Sequence, residues 1–594
     1  MKKFTRIKLS ITLVILGLGL AYAQNPNKFL KVSYVGAMGT TDWTSGWANW
    51  NPQQATYGAA TEMTTLNAAA TSTGKIEITG TVTLDASKVY LLTGIVYVKS
   101  GGVLNIPAGT VIRAEANPSA TPANWASLVI QRGGKINAMG TKTSPIVFTS
   151  NKAAGSRAAG DWGGILLFGK GMNNLPGQQS GCTQCAKGEG LIEGPFGYPD
   201  GVYGGSDDAD NSGTIMYTRI EFPGLIFSPN NEINGLTLGS VGYGTTLRYI
   251  QVSYSNDDSY EWFGGTANSR YLIAFKGADD DFDTDFGYRG MNQFGIGFKD
   301  SLRFDQTWNV SGGSTSEGFE SDNDGSGSTN TPQTAAVFCN YTMVGPYAEG
   351  LNYSQFSSTV KGAFRRGARI RRNSAQSIMN SIFMGYRNTL MLDGSATVAN
   401  ANVAGGPAAT DLLMFRNNII VGGVLSPASA TATGLVEVAS GGDTAALAKW
   451  LKSSMATNRI NNVAWAKGSL LVDPNHYTAP NFMPIANSAA LTGADFTNAK
   501  LINNELSVRT AISNGTINVY PNPSNGTANV EMNLLNNATL SISVMAIDGK
   551  VIRTSTDSYP AGKSVVSFDG LTQGVYIVNV AQDASFNTYK LIVK

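Results

Sequence analysis

Two stretches of this chain align at a shift of 22 residues: "YIQVSYSNDDSYEWFGG", beginning at Tyr249, and "YLIAFKGADDDFDTDFG", beginning at Tyr271. Under that shift Asp257 falls on Asp279, Asp258 on Asp280, Tyr260 on Phe282 and Glu261 on Asp283. A looser third copy, "SEGFESD", puts Glu317, Phe319 and Glu320 in equivalent places. The shared unit is acid-x-aromatic-acid, set among short β-branched runs and glycine turns with no amphipathic helix between copies. A repeat of this length cannot bury an apolar face by itself, so each coil must complete its hydrogen bonding on its neighbours. The expected fold is therefore all-β: a right-handed parallel β-helix.

A second pair of stretches extends the pattern toward the N-terminus. "YVKSGGVLNIPAGTVI" (97–112) and "VIQRGGKINAMGTKTSPIVF" (129–148) match Gly101-Gly102 to Gly133-Gly134, Asn105 to Asn137 and Gly109-Thr110 to Gly140-Thr141. At 594 residues the chain exceeds one compact domain, and its 69 glycines suit a turn-rich β-protein. We place the helix at 76–505. Residues 440–505 form a capping segment, in which "DTAALAKWLKSSM" (443–455) reads as a helix with Leu447, Trp450 and Leu451 on one face. Covering the open end is its expected role, because an exposed sheet edge invites aggregation. The Trp- and Gly-rich segment 24–75 is expected to pack along the outside.

The ends of the chain carry addressing signals. Lys2, Lys3, Arg6 and Lys8 precede the apolar run "ITLVILGLGLAYA", which ends in a small-x-small triplet. This pattern predicts a signal peptide, 1–23, cut between Ala23 and Gln24, with no transmembrane segment in the mature chain. A net charge of +2 argues against nucleic acid as a partner. Cys182 and Cys185 are spaced for a local disulfide, and with His476 as the single histidine neither a zinc site nor most histidine-dependent catalysis is available.

Residues 515–594 change character, with alternating strands and an Asp548-Gly549 hairpin turn that read as a small β-sandwich. This tail resembles the type A C-terminal sorting domain of the Bacteroidetes type IX secretion system. The resemblance rests on Tyr520-Pro521-Asn522-Pro523, Gly549-Lys550, "LTQGVYIVNV" (571–580, with Gly574) and the closing Lys590 to Lys594. It implies the type IX machinery as a partner and export through the periplasm and outer membrane to the cell surface or beyond. The body resembles secreted Bacteroidetes proteins with pectin-lyase-like β-helices, carried by "GDWGGILLFG" (160–169), "DDADNSGTIMYTRIEF" (207–222), the two acidic coils and "RRGARIRRNSAQSIMNSIFMGYRN" (365–388).

The repulsion within the acidic corner must be offset by calcium, arginines, protons or splaying into water. Equivalent side chains on neighbouring coils stack about 4.8 Å apart, where two like charges repel by about 3 kcal/mol at an effective dielectric near 20. Calcium takes six to eight oxygen ligands, so Asp257, Asp258, Glu261, Asp279, Asp280, Asp281, Asp283 and Asp285 are the expected ligands; no organic cofactor is expected. Alternation puts Arg369 and Arg371 on one strand face and Arg372 on the other. These arginines either neutralise acids on nearby coils or, by analogy with polysaccharide lyases of this fold class though without a lyase sequence signature, supply Arg369 or Arg371 as the base that removes the proton alpha to the carboxyl of a calcium-bound uronate. Glycoside hydrolysis by paired carboxylates is a weaker alternative. Tyr260 and Tyr288, beside Trp262 and Phe282, are candidates to stack on sugar rings, the alternative being that these aromatics are simply buried. The reading is a secreted, calcium-stabilised protein that binds an extracellular polysaccharide or surface glycan, with a calcium-dependent polysaccharide lyase as the alternative.

Overall fold

The computed structural model describes residues 29–57, 63–65, 76–115, 126–178, 181–228, 231–306, 314–347, 356–421, 436–438, 442–461, 468–502, 515–546, 551–582 and 585–594. Ala23, Gln24, Gly549 and Lys550 lie outside them. The chain divides into a large unit, Phe29–Ile502, and a smaller one that contains Asn503–Lys594.

The large unit is a parallel β-helix. An 11-stranded parallel sheet forms one side. In coil order its central strands are Leu236–Gly239, Tyr260–Phe263, Phe282–Asp285, Phe319–Ser321, Arg366–Arg371 and Asn388–Asp393. The register pairs Tyr260 with Phe282 and Glu261 with Asp283, then Phe282 with Phe319 and Asp283 with Glu320, as the repeat predicts. Tyr260, Phe282 and Phe319 turn inward and stack at 5.4 and 5.3 Å between centroids, within the main apolar core.

A 17-stranded sheet wraps the other sides. Its long strands bend at residues with φ between 47° and 62°: Tyr217, Tyr249, Tyr271, Phe294 and Asn340. The left-handed region is unusual for aromatic residues, and ring stacking helps hold it here: Tyr217, Tyr249, Tyr271 and Phe294 form a column with spacings of 4.3, 4.3 and 5.0 Å. Trp43 and Trp47 of the N-terminal segment lie against this column. Two glutamines bind the segment's backbone at donor and acceptor together: Gln251 to Asn49, both bonds 2.8 Å, and Gln293 to Leu30, at 2.7 and 2.8 Å.

In the first coils Asn105 pairs with Asn137, and Asn137 Nδ2 donates to Asn105 Oδ1 at 2.9 Å. The expected match of Gly109-Thr110 to Gly140-Thr141 does not hold. Val111 pairs with Val147, so the second coil carries extra residues in the intervening turn. At the far end the helix Thr444–Leu451 is N-capped by Asp443, and Leu447, Trp450 and Leu451 close the core. Cys182 and Cys185 are disulfide-bonded. Among the described residues no helix is long and apolar enough to cross a membrane.

The smaller unit is a β-sandwich of a three-stranded and a four-stranded antiparallel sheet. Val530, Met532, Leu540, Ile542, Val578, Val580 and Leu591 fill its core. Asn522 Oδ1, between Pro521 and Pro523, accepts from Ile592 N at 3.0 Å. Gly574 opens the strand Gly574–Gln582, Lys590 pairs in register with Ile577, and Lys594 N donates to Ser524 O at 2.9 Å.

Candidate metal centre

Alternation along the strand Phe282–Asp285 sends Phe282 and Thr284 into the core and Asp283 and Asp285 to the outer face. The same phase on adjacent strands lines up Glu261, Asp283 and Glu320 across three coils. Just before each strand a turn contributes a second row. Asp258 Oδ1 accepts from Asp280 N at 2.7 Å, and Asp280 Oδ1 accepts from Glu317 N at 2.5 Å, so each carboxylate ties its coil to the next.

The two rows merge into three overlapping triads whose oxygens all lie within 4.8 Å of one another: Asp257, Asp258 and Asp279; Asp258, Glu261 and Asp283; Asp280, Asp283 and Glu320. Apart from Glu320, none of these seven has a lysine or arginine within ion-pairing distance among the described residues. They are also enclosed: Asp280 is 2% exposed, Asp258 6% and Glu261 8%. Burial and then neighbouring acids push the carboxyls of Asp257, Asp258, Glu261, Asp279, Asp280 and Asp283 well above the usual range. The strongest neighbour is Asp280 for Asp258, Glu193 for Glu261, Asp305 for Asp279 and Glu320 for Asp283.

Insertions between coils supply groups that the repeat did not reveal. Glu193 follows the strand Glu189–Leu191, and Glu232 lies in the strand Asn231–Ile233. Burial, with Glu232 next, pushes Glu193 up to about 8, and both acids act on Asp257. Asn234, 1% exposed, donates through Nδ2 to Glu261 Oε2, while its Oδ1 has no hydrogen-bond partner. An orphaned amide oxygen beside clustered carboxylates is a donor set suited to a hard cation.

The arginines lie on the later coils. Arg369 reaches Glu320 at 3.3 Å and Asp393 at 3.1 Å; Arg371 holds Glu320 and, at 2.7 Å, Asp322. Burial opposes the charge on Arg371, but Glu320 and Asp322 overcome it and raise its pKa. Arg372 does not point away as alternation suggested: its φ of 46° ends the strand, and it joins Arg371 on Asp322 at 2.6 Å. Arg366 bridges Glu317 and Glu437, both at 2.7 Å. The ladder of ion pairs thus neutralises the acids from Glu317 onward and leaves the preceding ones unneutralised.

Several expected site residues stand elsewhere. Asp281 leaves the acidic rows because the strand begins only at Phe282, and the preceding turn directs it inward to Lys299 at 3.2 Å. Burial, moderated by Lys299, pushes its carboxyl up to about 6. Asp285 faces outward, outside the triads, with Asp322 and Asp283 raising its pKa after burial. Tyr260 and Tyr288 are not available to sugars. Both are 0% exposed, with hydroxyls donating to Ile250 O at 2.8 Å and Ala267 O at 2.7 Å. Trp262 and Phe282 are buried with them.

A family model described as "Pectate-lyase like beta helix domain" matches residues 74–468. A second, "Secretion system C-terminal sorting domain", matches residues 518–594. No curated protein matches the chain. Among solved structures, the full-length tailspike protein 2 of the Escherichia coli O157:H7 bacteriophage CAB120 is similar at 11% identity and a TM-score of 0.21. That match covers 85% of this chain and 64% of the tailspike, just under two thirds of its length. An engineered protein is similar at 11% identity and a TM-score of 0.12, covering 44% of this chain and 65% of its own.

Proposed function

The chain belongs to the pectate-lyase-like β-helix family, and from that premise we propose that its acidic groove binds calcium and, through it, an anionic extracellular polysaccharide. The sorting domain directs the protein to the cell surface or extracellular space, where calcium is available to such a site. The observation that carries the reading is the set of six un-neutralised carboxylates, Asp257, Asp258, Glu261, Asp279, Asp280 and Asp283, within overlapping triads. Keeping them all ionised without a cation would cost about 3 kcal/mol for each adjacent charged pair, so without one their raised pKa values make them take up protons.

Binding is favoured over cleavage. A lyase base must be able to lose a proton, and Arg371 is held charged by Glu320 and Asp322 while Arg369 is committed to Glu320 and Asp393. With Tyr260 and Tyr288 buried, contact with sugar passes through charge rather than ring stacking. Retention of the full secreted protein on polygalacturonate, compared with a neutral polymer, tests this. We expect calcium-dependent retention, release by chelator and no ultraviolet absorbance from unsaturated products. Steady growth of that absorbance would establish the lyase instead, and calcium-independent retention would remove the groove from the account.

A further inference from the structure

Lys299 and Asp281 form an ion pair enclosed on every side: both side chains are 0% exposed, with Nζ 3.2 Å from Oδ1. Lys299 follows the strand Met291–Phe298, and Asp281 precedes the strand Phe282–Asp285, so the pair joins the two sheets. The ammonium also donates to Asp279 O. Apart from Lys299, neither oxygen of Asp281 has a hydrogen-bond donor, which is unusual for a buried carboxylate. The wall beside it is tight. A Cβ on Gly297 would stand 2.5 Å from Asp281 Oδ2 and would also strike Met343, and the nearby Tyr386 hydroxyl has no partner.

A buried ion pair whose carboxylate takes no further hydrogen bond is a poor stabiliser, because desolvation of both charges outweighs much of their attraction. An amine held against a carboxyl group in a dry enclosure is, however, well placed to react. We propose that Lys299 and Asp281 condense to an intramolecular amide cross-link. The ammonium first passes a proton to the carboxylate, leaving a neutral amine and a carboxylic acid. The amine lone pair attacks Cγ, the bond from Cγ to its hydroxyl breaks, and that hydroxyl leaves with one amine proton as water. The product is a neutral Nζ–Cγ amide, and the step requires no oxidant or added reactant.

Other buried pairs lack this arrangement. Lys276 stands 3.8 Å from Asp300, whose oxygens already accept from Tyr477 Oη at 2.9 Å and Leu302 N at 3.0 Å. The remaining enclosed pairs of the groove sheet use arginine, which does not form this bond.

The test is a tryptic digest of the full secreted protein after denaturation. The cross-link predicts a branched peptide joining residues 277–289 to residues 290–303, lighter by one water than the two linear sequences and uncut after Lys299. Lys299→Arg, which keeps the positive charge, should yield only linear peptides and a lower melting temperature. Complete recovery of linear peptides 277–289 and 290–299 from the wild-type protein overturns the proposal, whether or not the variant folds.

Discussion

Asp283 belongs to two of the three triads and stands opposite both Glu261 and Glu320 in the register. Its charge therefore has opposite effects with and without a cation. Asp283→Asn keeps an oxygen to accept from Thr284 N, the bond made by Oδ1 at 2.6 Å, while removing one charge. In chelator the variant should be more stable than wild type, by about 1–3 kcal/mol; in calcium it should be less stable. Thermal melts in the two buffers check the crossing, and curves that shift the same way in both would separate Asp283 from any cation. Lys276 provides a test by pH. Burial, partly offset by Asp300, pulls its ammonium down to about 8, and the side chain sits against Tyr477. Between about 8 and the free-lysine value near 10.4 the unfolded chain holds a proton that the folded chain has released, so this residue's contribution rises with pH across that window. Lys276→Met should flatten the rise in urea midpoints; an unchanged slope would show that the lysine titrates normally.

The coil repeat was legible because the acidic coils are of nearly equal length and each strand position returns on the same face. The inner or outer placement of the aromatics was implicit in that alternation, since Phe282 and Asp283 are adjacent and must face opposite sides. Strand ends were harder to read. Asp281 shares the phase of Asp283 in sequence, but it precedes the strand and turns inward. Glu193 and Glu232 were not legible as site residues, because inserted segments bring them to the acidic coils, and Asn234, which stands opposite Asp258 on the preceding coil, was missed because it carries an amide where the later coils carry acids. In the helix Thr444–Leu451, Leu451 is 0% exposed and packs into the core. Leu451→Ala should cost about 2–5 kcal/mol and promote aggregation by loosening cover over a sheet end. Chemical denaturation with light scattering measures both, and an unaltered midpoint would mean that the helix does not seal the core.

At the scale of the whole molecule, the sorting domain and the acidic coils belong to separate units with separate cores. Deleting residues 515–594 should abolish delivery to the surface or medium while leaving the melting transition of the β-helix unchanged; normal export of the truncated chain would show that the tail is dispensable. The β-helix itself combines a neutralised half, where arginines hold the acids from Glu317 onward, and an un-neutralised half built on the two acidic coils. Their juxtaposition is the basis of the central claim. Equilibrium dialysis of the full secreted protein against radioactive calcium tests it most directly, with Asp258→Asn/Asp283→Asn as the comparison. The account predicts saturable binding by the wild type that the double variant loses; no saturable binding at millimolar calcium would contradict it.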